Sequence, residues 1–189
     1  MQVTNDLMNE HQLILKYISL MEQYIKFSLA NQNEQLFSEK AEVFIGFIRN
    51  FADTFHHAKE EDILFKHMEA PGVLSHCNPL PQMLLEHEQG RQFVQGMKSA
   101  VESADLDNLI NNAGNYGALL KEHIFKEDNI LYPMAEAGIP NEDKSPILDE
   151  YKKAEERLDS QAVWIEYEEK YKELENCLNE RQLKKCINS

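Results

Sequence analysis

A ten-residue pattern that occurs twice is the feature that most constrains the fold of this chain. Residues 56–65 read HHAKEEDILF and residues 123–132 read HIFKEDNILY, which share the consensus H-x-x-K-E-[ED]-x-I-L-[FY]. Each copy places a glutamate four residues after a histidine, so that both side chains lie on one face of an α-helix. The repeat therefore predicts two helices that present the same pair to the interior, His56/Glu60 and His123/Glu127.

Apolar residues recur at three- and four-residue intervals through long windows, which is the period of amphipathic helices. The chain has only 7 glycines and 6 prolines, and these fall mainly between the windows. We predict no strands and an up-down-up-down four-helix bundle, with Thr4 or Asn5 capping the first helix. The four helices are predicted from Thr4 or Asn5 to Ala30, from after Asn33 to Pro71-Gly72, from Asn78-Pro79 to Ala104, and from Asp105 or Asp107 to Gly138-Ile139-Pro140.

The chain after the fourth helix has a different pattern. Beyond Ser145-Pro146 the apolar stripe drifts around the helix axis, which predicts one or two further helices. We therefore divide the chain into a bundle at residues 1–140 and a C-terminal helical extension at residues 141–189. We expect the extension to pack on the bundle or to mediate homo-oligomerisation, and the alternative is that it binds a partner protein.

Composition excludes several classes of protein. The chain has 19 Lys and Arg against 33 Asp and Glu, a net charge of −14 that would repel nucleic acid and anionic membranes. No stretch reaches the roughly 18 uncharged residues of a membrane span, and the first residues do not resemble a signal peptide. The three cysteines form no CxxC pair, which argues against a disulfide framework or a thiolate zinc site. We therefore expect a cytoplasmic protein with no nucleic-acid or membrane partner.

Two further histidines extend the set of candidate metal ligands. NEHQ at 9–12 places His11 on the first helix, and LEHEQ at 85–89 places His87 on the third. Each half of the bundle thus offers one lone histidine and one His/Glu pair, a ligand set that suits two divalent metal ions with bridging carboxylates. Core packing alone needs no histidine and avoids buried carboxylates. The predicted metal ligands are His11, His56, Glu60, His87, His123 and Glu127.

A competing pair with the same spacing, His57 and Glu61, also lies on the second helix. The other copy of the repeat has Ile124 and Asp128 at these positions, so the two copies do not share this pair. We therefore expect His57 and Glu61 to support the ligands from behind or to lie at the surface.

Three glutamates, Glu10, Glu86 and Glu122, each directly precede a predicted ligand histidine. Adjacent residues on a helix point about 100° apart, so such a glutamate does not readily bind the same ion as its neighbour. We expect these glutamates to be solvated or to orient imidazoles of the site.

At these residues the chain resembles the hemerythrin-like (HHE cation-binding) family. The resemblance covers about residues 4–136 and rests on EHQLI at 10–14, HHAKEEDILF, LEHEQ and EHIFKEDNILYP at 122–133. It implies a hemerythrin-like four-helix bundle that holds a non-haem di-iron centre. The two iron ions would be bridged by carboxylates and an oxo or hydroxo group, and the six predicted ligands match the ligand positions of the family.

The resemblance also implies that the protein binds oxygen or a related small ligand, such as peroxide or nitric oxide, for sensing, buffering or detoxification. Oxygen-carrying hemerythrins have a second histidine four residues after the third-helix ligand, where this chain has Arg91. This departure predicts one iron with fewer imidazole ligands and open positions, beside which Gly90 leaves space. Tyr116, seven residues before His123, is a further pocket candidate as a redox or hydrogen-bonding group.

Two alternatives remain open from the sequence. Four histidines and two glutamates are also similar to the iron–sulfur cluster repair proteins of the family, which would make the protein an iron donor or a redox di-iron enzyme. In the other alternative the metal is structural and the function resides in residues 145–189.

Overall fold

The structure is a computed structural model that describes residues 2–31, 35–74 and 77–187, with side chains described as far as residue 184. Its described residues form six helices without a strand, which confirms the predicted all-α helical bundle. Asn33, after which the second helix was expected to start, lies outside them. None of the described helices is long and apolar enough to span a membrane. The helices are α1 (Asn5–Ala30), α2 (residues 35–68), α3 (Leu80–Glu102), α4 (residues 106–138), α5 (Asn141–Leu158) and α6 (Ser160–Ile187).

Helices α2 and α4 each contain π-helical turns, in which a backbone N–H donates to the carbonyl five residues earlier. In α2 the Phe65 N–H donates to the Glu60 carbonyl, and in α4 the Tyr132 N–H donates to the Glu127 carbonyl. Both copies of the repeat therefore have the same π-helical turn at the same place, beginning at the glutamate. The π-helical segments are Ile48–His57 and Glu60–Leu64 in α2, and Glu127–Leu131 in α4.

The starts of α1 and α4 depend on different contacts. Thr4 occupies the position before α1 but makes no side-chain cap, so the expectation that Thr4 caps this helix is wrong. Its amide N–H and its hydroxyl both donate to Glu136 Oε1 at 3.0 Å, because the charged carboxylate of α4 reaches the buried Thr4 side chain. Asp105 does cap α4, since its Oδ1 accepts from the Asn108 N–H at 3.0 Å.

Helix α5 begins at Asn141, earlier than the start expected beyond Pro146. Pro140 lies directly before the helix and Pro146 lies inside it. Lys144 Nζ donates to the backbone carbonyl of Glu136 at 2.8 Å and to its carboxylate at 3.0 Å, which ties the first turns of α5 to the end of α4. Two acidic residues in the first turn favour the helix start through the helix dipole, so the helix forms despite the amide missing at Pro146.

Two apolar clusters form the core, and a polar layer lies between them. Each of helices α1 to α4 contributes residues to both clusters, so each helix crosses the polar layer once. The predicted metal ligands lie in these crossings. They fall between Leu7 and Leu13 on α1, between Phe55 and Ile63 on α2, between Met83 and Val94 on α3, and between Leu120 and Leu131 on α4.

The C-terminal helices extend these two clusters. Ile147 and Tyr151 of α5 belong to the smaller cluster, and Tyr167 of α6 belongs to the larger one. Buried tyrosines connect α6 to the bundle: the Tyr17 hydroxyl donates to the Tyr167 carbonyl at 2.6 Å, and the Tyr167 hydroxyl donates to the Gly46 carbonyl at 3.0 Å. The C-terminal helices are therefore packed on the bundle through apolar contacts and through buried hydrogen bonds.

We expect Tyr167→Ala to lower the free energy of unfolding by about 3–5 kcal/mol, because it removes a buried aromatic ring from the larger cluster. Tyr167→Phe should cost about 1 kcal/mol, since it removes only hydrogen bonds. Urea unfolding followed by circular dichroism measures both changes. The control is Ile165→Ala on the same helix, whose side chain is 50% exposed. Equal midpoints for Tyr167→Ala and Ile165→Ala would contradict the packing of α6.

Candidate metal centre

Four buried imidazoles meet in the polar layer, one from each of helices α1 to α4. The Nε2 atoms of His11 and His56 lie 3.0 Å apart, and those of His87 and His123 lie 2.9 Å apart. Each of these histidines is at most 1% exposed. Imidazole nitrogens that converge in this way are suited to bind a metal ion. The structure thus brings together the four histidines that the sequence selected.

Two buried carboxylates lie between these imidazoles. Each carboxylate approaches one histidine from each half of the bundle, as a bridging ligand must. Glu60 Oε2 lies 3.5 Å from the Nε2 atoms of both His56 and His87, while Glu127 lies 3.3 Å from His11 Nε2 through Oε2 and 3.1 Å from His123 Nε2 through Oε1.

The ligand atoms fall into two groups, each spanning no more than 4.8 Å, and both groups contain Glu60. Glu60 Oε2 and both carboxylate oxygens of Glu127 are buried without a hydrogen-bond partner. Burial of such oxygens is costly unless a cation or a donor compensates it. Imidazole nitrogens and carboxylate oxygens together fit divalent transition metals, so the residues present fit a metal centre. The two groups are His11, His56, Glu60 and Glu127, and His57, Glu60, His87 and His123.

A ring of outer carboxylates fixes the orientation of the four imidazoles. In each case the Nδ1 atom lies within hydrogen-bond distance of a carboxylate oxygen. An ionised carboxylate can only accept, so Nδ1–H donates and Nε2 is left free for a metal. The pairs are His11 with Asp128 at 2.7 Å, His56 with Glu10 at 2.8 Å, His87 with Glu61 at 2.7 Å and His123 with Glu86 at 2.8 Å.

The lysine that both copies of the repeat share holds two of these outer carboxylates. Lys59 Nζ donates to Glu10, and Lys126 Nζ donates to Glu86. This lysine was not among the predicted site residues. Of the three glutamates that precede a ligand histidine, Glu10 and Glu86 are buried against imidazoles, whereas Glu122 is exposed.

The last position of the repeat breaks the symmetry between the two halves. The Tyr132 hydroxyl donates to Glu60 Oε1 at 2.5 Å, and its ring stacks on His11 with centroids 5.5 Å apart. In the other copy, Phe65 stacks on His87 at 6.0 Å and has no hydroxyl to donate. Tyr132 was not among the predicted site residues, although the variation between Phe and Tyr in the repeat marks this difference.

The carboxylates of Glu60 and Glu127 differ in proton affinity. Burial, reinforced by the charge of Glu127, raises the pKa of Glu60 well above its usual range. Burial acts on Glu127 in the same direction, but His123 and His11 outweigh it and hold the pKa of Glu127 well below its usual range. A divalent cation bound between them would favour the ionised form of both carboxylates.

A cavity of about 250 Å³ adjoins one half of this site. Its wall includes His57 and His87, and Gly90 leaves room beside them. Tyr116, which is 2% exposed, also lines the cavity, and its hydroxyl is buried without a hydrogen-bond partner. The cavity thus borders the second group of candidate ligands.

The remaining predicted site residues lie around this cavity. Arg91 binds two carboxylates, since its Nε donates to Asp53 Oδ1 at 2.9 Å and its Nη2 donates to Glu61 Oε1 at 2.6 Å. Glu61 in turn accepts from His87, so it supports a ligand from behind. His57 is buried with its ring parallel to that of His87, and it joins the second group of ligand atoms.

A family model for the hemerythrin HHE cation-binding domain matches residues 2–135, which is more than half of the chain. The chain belongs to this family. No curated protein and no solved structure matches it. The part matched to the hemerythrin family contains all six predicted ligands, and it ends within α4, so α5 and α6 lie beyond it.

We expect Glu86→Gln to weaken metal binding by about 10–100-fold, because it replaces the charged acceptor that orients His123. Glu122→Gln is the matched control, since Glu122 also precedes a ligand histidine but is exposed. Anaerobic titration with Fe(II) against a competing chelator measures the affinity. If both variants bound iron as tightly as the unaltered protein, the outer carboxylates would have no part in holding the metal.

Proposed function

We propose that this hemerythrin-family protein holds two iron ions in a non-haem centre bridged by Glu60 and Glu127. The two groups of ligand atoms that overlap at Glu60 are the observation that carries the proposal. All the donors are imidazole nitrogens or carboxylate oxygens, a set that suits iron and includes no thiolate. The proposed ligands are His11, His56, Glu60, His87, His123 and Glu127.

We further propose that the centre binds oxygen or a related small ligand, such as peroxide or nitric oxide, for sensing, buffering or detoxification. When bound, a pair of iron ions supplies redox chemistry and open positions for such a ligand. The cavity beside His87 supports this proposal, because Ile48, Val94 and Leu120 give it partly apolar walls and it has room for a diatomic molecule. The unpartnered Tyr116 hydroxyl in its wall can donate a hydrogen bond to the polar end of the ligand.

The side chains around the centre hold their protons at defined atoms. Burial and the nearby charges of Glu60 and Glu127 raise the pKa of Tyr132 well above its usual range, so its hydroxyl keeps its proton. The protonated hydroxyl can therefore donate a hydrogen bond to Glu60 Oε1. The outer carboxylates keep the proton of each ligand imidazole on Nδ1, which leaves the Nε2 lone pair for the metal.

We propose that residues 1–140 form the metal-binding domain and that residues 141–189 form an extension that stabilises it. The hydrogen bonds of Tyr167 with α1 and α2 support a stabilising role. We also propose a cytoplasmic location, which the free thiols of Cys77 and Cys177 support. The net charge of −14 supports a function without nucleic acid.

Anaerobic iron loading followed by optical spectroscopy tests the proposed function. We expect two iron ions per chain and a charge-transfer band that appears when oxygen is added to the reduced protein. If the band disappears when oxygen is removed, the protein is a carrier or a sensor. If the band persists, oxygen oxidises the centre, which favours detoxification or redox turnover.

Other results would contradict the proposal. If zinc supported the fold as well as iron and no band formed, the metal would be structural. Loss of iron from the reduced protein to an apoprotein that lacks its iron–sulfur cluster, with reconstitution of that cluster, would favour the iron-donor alternative.

We expect Gly90→Leu to slow the binding of nitric oxide to the reduced iron protein at least tenfold without lowering its iron content. A Cβ atom at Gly90 would lie 3.6 Å from the Tyr116 ring, an ordinary contact, so a leucine side chain would extend into the cavity. Gly114→Leu is the control, because it is also a helical glycine and a Cβ atom there meets nothing within 4 Å. Stopped-flow absorbance measures the rates. Equal rates in the two variants would mean that the ligand does not enter through this cavity.

A further inference from the structure

We propose that His57 is a fifth imidazole ligand of the centre, that it serves the ion held by His87 and His123, and that Asp53 and Arg91 position it. This inference rests on the proposed two-ion centre. It assigns a role to a residue that the repeat argues against, because the other copy has Ile124 at that position.

His57 is buried and lies close to three of the predicted metal ligands. Its side chain is buried, with 6% exposed. One of its ring nitrogens lies within 4.8 Å of the ligand atoms of Glu60, His87 and His123. Its ring is nearly parallel to that of His87, with centroids 3.8 Å apart and planes inclined by 13°. His57 therefore lies close enough to Glu60, His87 and His123 to share an ion with them.

The hydrogen bonding of His57 repeats the arrangement of the four other imidazoles. Its Nδ1 lies 3.3 Å from Asp53 Oδ1, so a carboxylate again accepts the Nδ1 proton. This leaves Nε2 as the nitrogen that can bind a metal. In all five imidazoles of the site, Nδ1 thus faces a carboxylate and Nε2 is the nitrogen left for a metal.

Arg91 connects the two carboxylates on this side of the site. It donates through Nε to Asp53 Oδ1 at 2.9 Å and through Nη2 to Glu61 Oε1 at 2.6 Å. Asp53 lies behind His57, and Glu61 lies behind His87. The arginine at the position of the missing third-helix histidine therefore holds the two groups that orient this pair of stacked imidazoles.

Adjacent residues of one helix can bind different ions of a two-metal centre. His56 and His57 project about 100° apart, which prevents them from facing one ion in the same way. His56 belongs to the group with His11 and Glu127, whereas His57 belongs to the group with His87 and His123. Because His57 projects in a different direction from His56, it faces the group with His87 and His123 and not the group with His11.

Nuclear magnetic resonance of the protein loaded with Co(II) tests the proposal. Each imidazole bound through Nε2 keeps an Nδ1 proton that exchanges slowly, because the ring is buried and a carboxylate accepts the proton, and the paramagnetic ion shifts its resonance. We expect five such resonances in the unaltered protein and four in both His57→Ala and His57→Gln. We expect the affinity for the second ion to fall at least about tenfold in both variants, with the first ion retained.

Two further variants complete the experiment. His67→Ala is the control, because His67 lies outside the site and contacts Glu150, and it should retain all five resonances. Asp53→Asn should shift the fifth resonance and speed its exchange with solvent while leaving the other four unchanged. A role of Asp53 in folding alone would not change one resonance selectively.

The outcomes separate this inference from the proposed function. If the unaltered protein bound two ions per chain but showed only four shifted resonances, and His57→Ala showed the same four, His57 would not be a ligand. The two-metal centre would remain supported. Fewer than two ions bound to the unaltered protein would overturn the two-metal centre and this inference with it.

Discussion

The burial of histidines and glutamates in one layer between two apolar clusters is the constraint on which the rest of the structure depends. Charged or polar groups are costly to bury, so each needs a partner at a defined position. The outer carboxylates take the Nδ1 protons, and Lys59 and Lys126 compensate the charges of Glu10 and Glu86. These contacts favour one position of helices α1 to α4 along their axes, because a shift would separate buried polar groups from their partners.

The repeat makes the two halves of the site alike, and a few side chains make them different. Both copies have a lysine that binds an outer carboxylate and a π-helical turn that begins at the glutamate of the His/Glu pair. Such turns are frequent at functional sites. Tyr132 donates to Glu60 on one side, while Phe65 lies against His87 on the other. Two metal ions held there would therefore have different environments.

The sequence was sufficient to predict the helices and the convergence of the six candidate ligands, because both depend on periodicity along one chain. It was not sufficient for contacts between residues far apart: Thr4 or Asn5 was expected to cap α1, but Thr4 binds Glu136. The π-helical turns were missed, since one extra residue in a turn leaves little trace in the apolar pattern. The surroundings of His57 were also missed. The counterpart of His57 in the other copy is Ile124, which indicates only that the repeat does not conserve this histidine, and the contact of Arg91 with Asp53 cannot be read from the repeat.

The same differences bear on where a small ligand can reach the proposed centre. Tyr132 stacks on His11 and belongs to the smaller apolar cluster, so that side is closed by aromatic and aliphatic side chains. The cavity instead reaches His57 and His87, beside Gly90 and the unpartnered hydroxyl of Tyr116. Access from one side only would bring a small ligand to the group that contains His87. On the closed side, the Tyr132 hydroxyl donates to Glu60 Oε1 and so fixes the position of a carboxylate that belongs to both groups of candidate ligands.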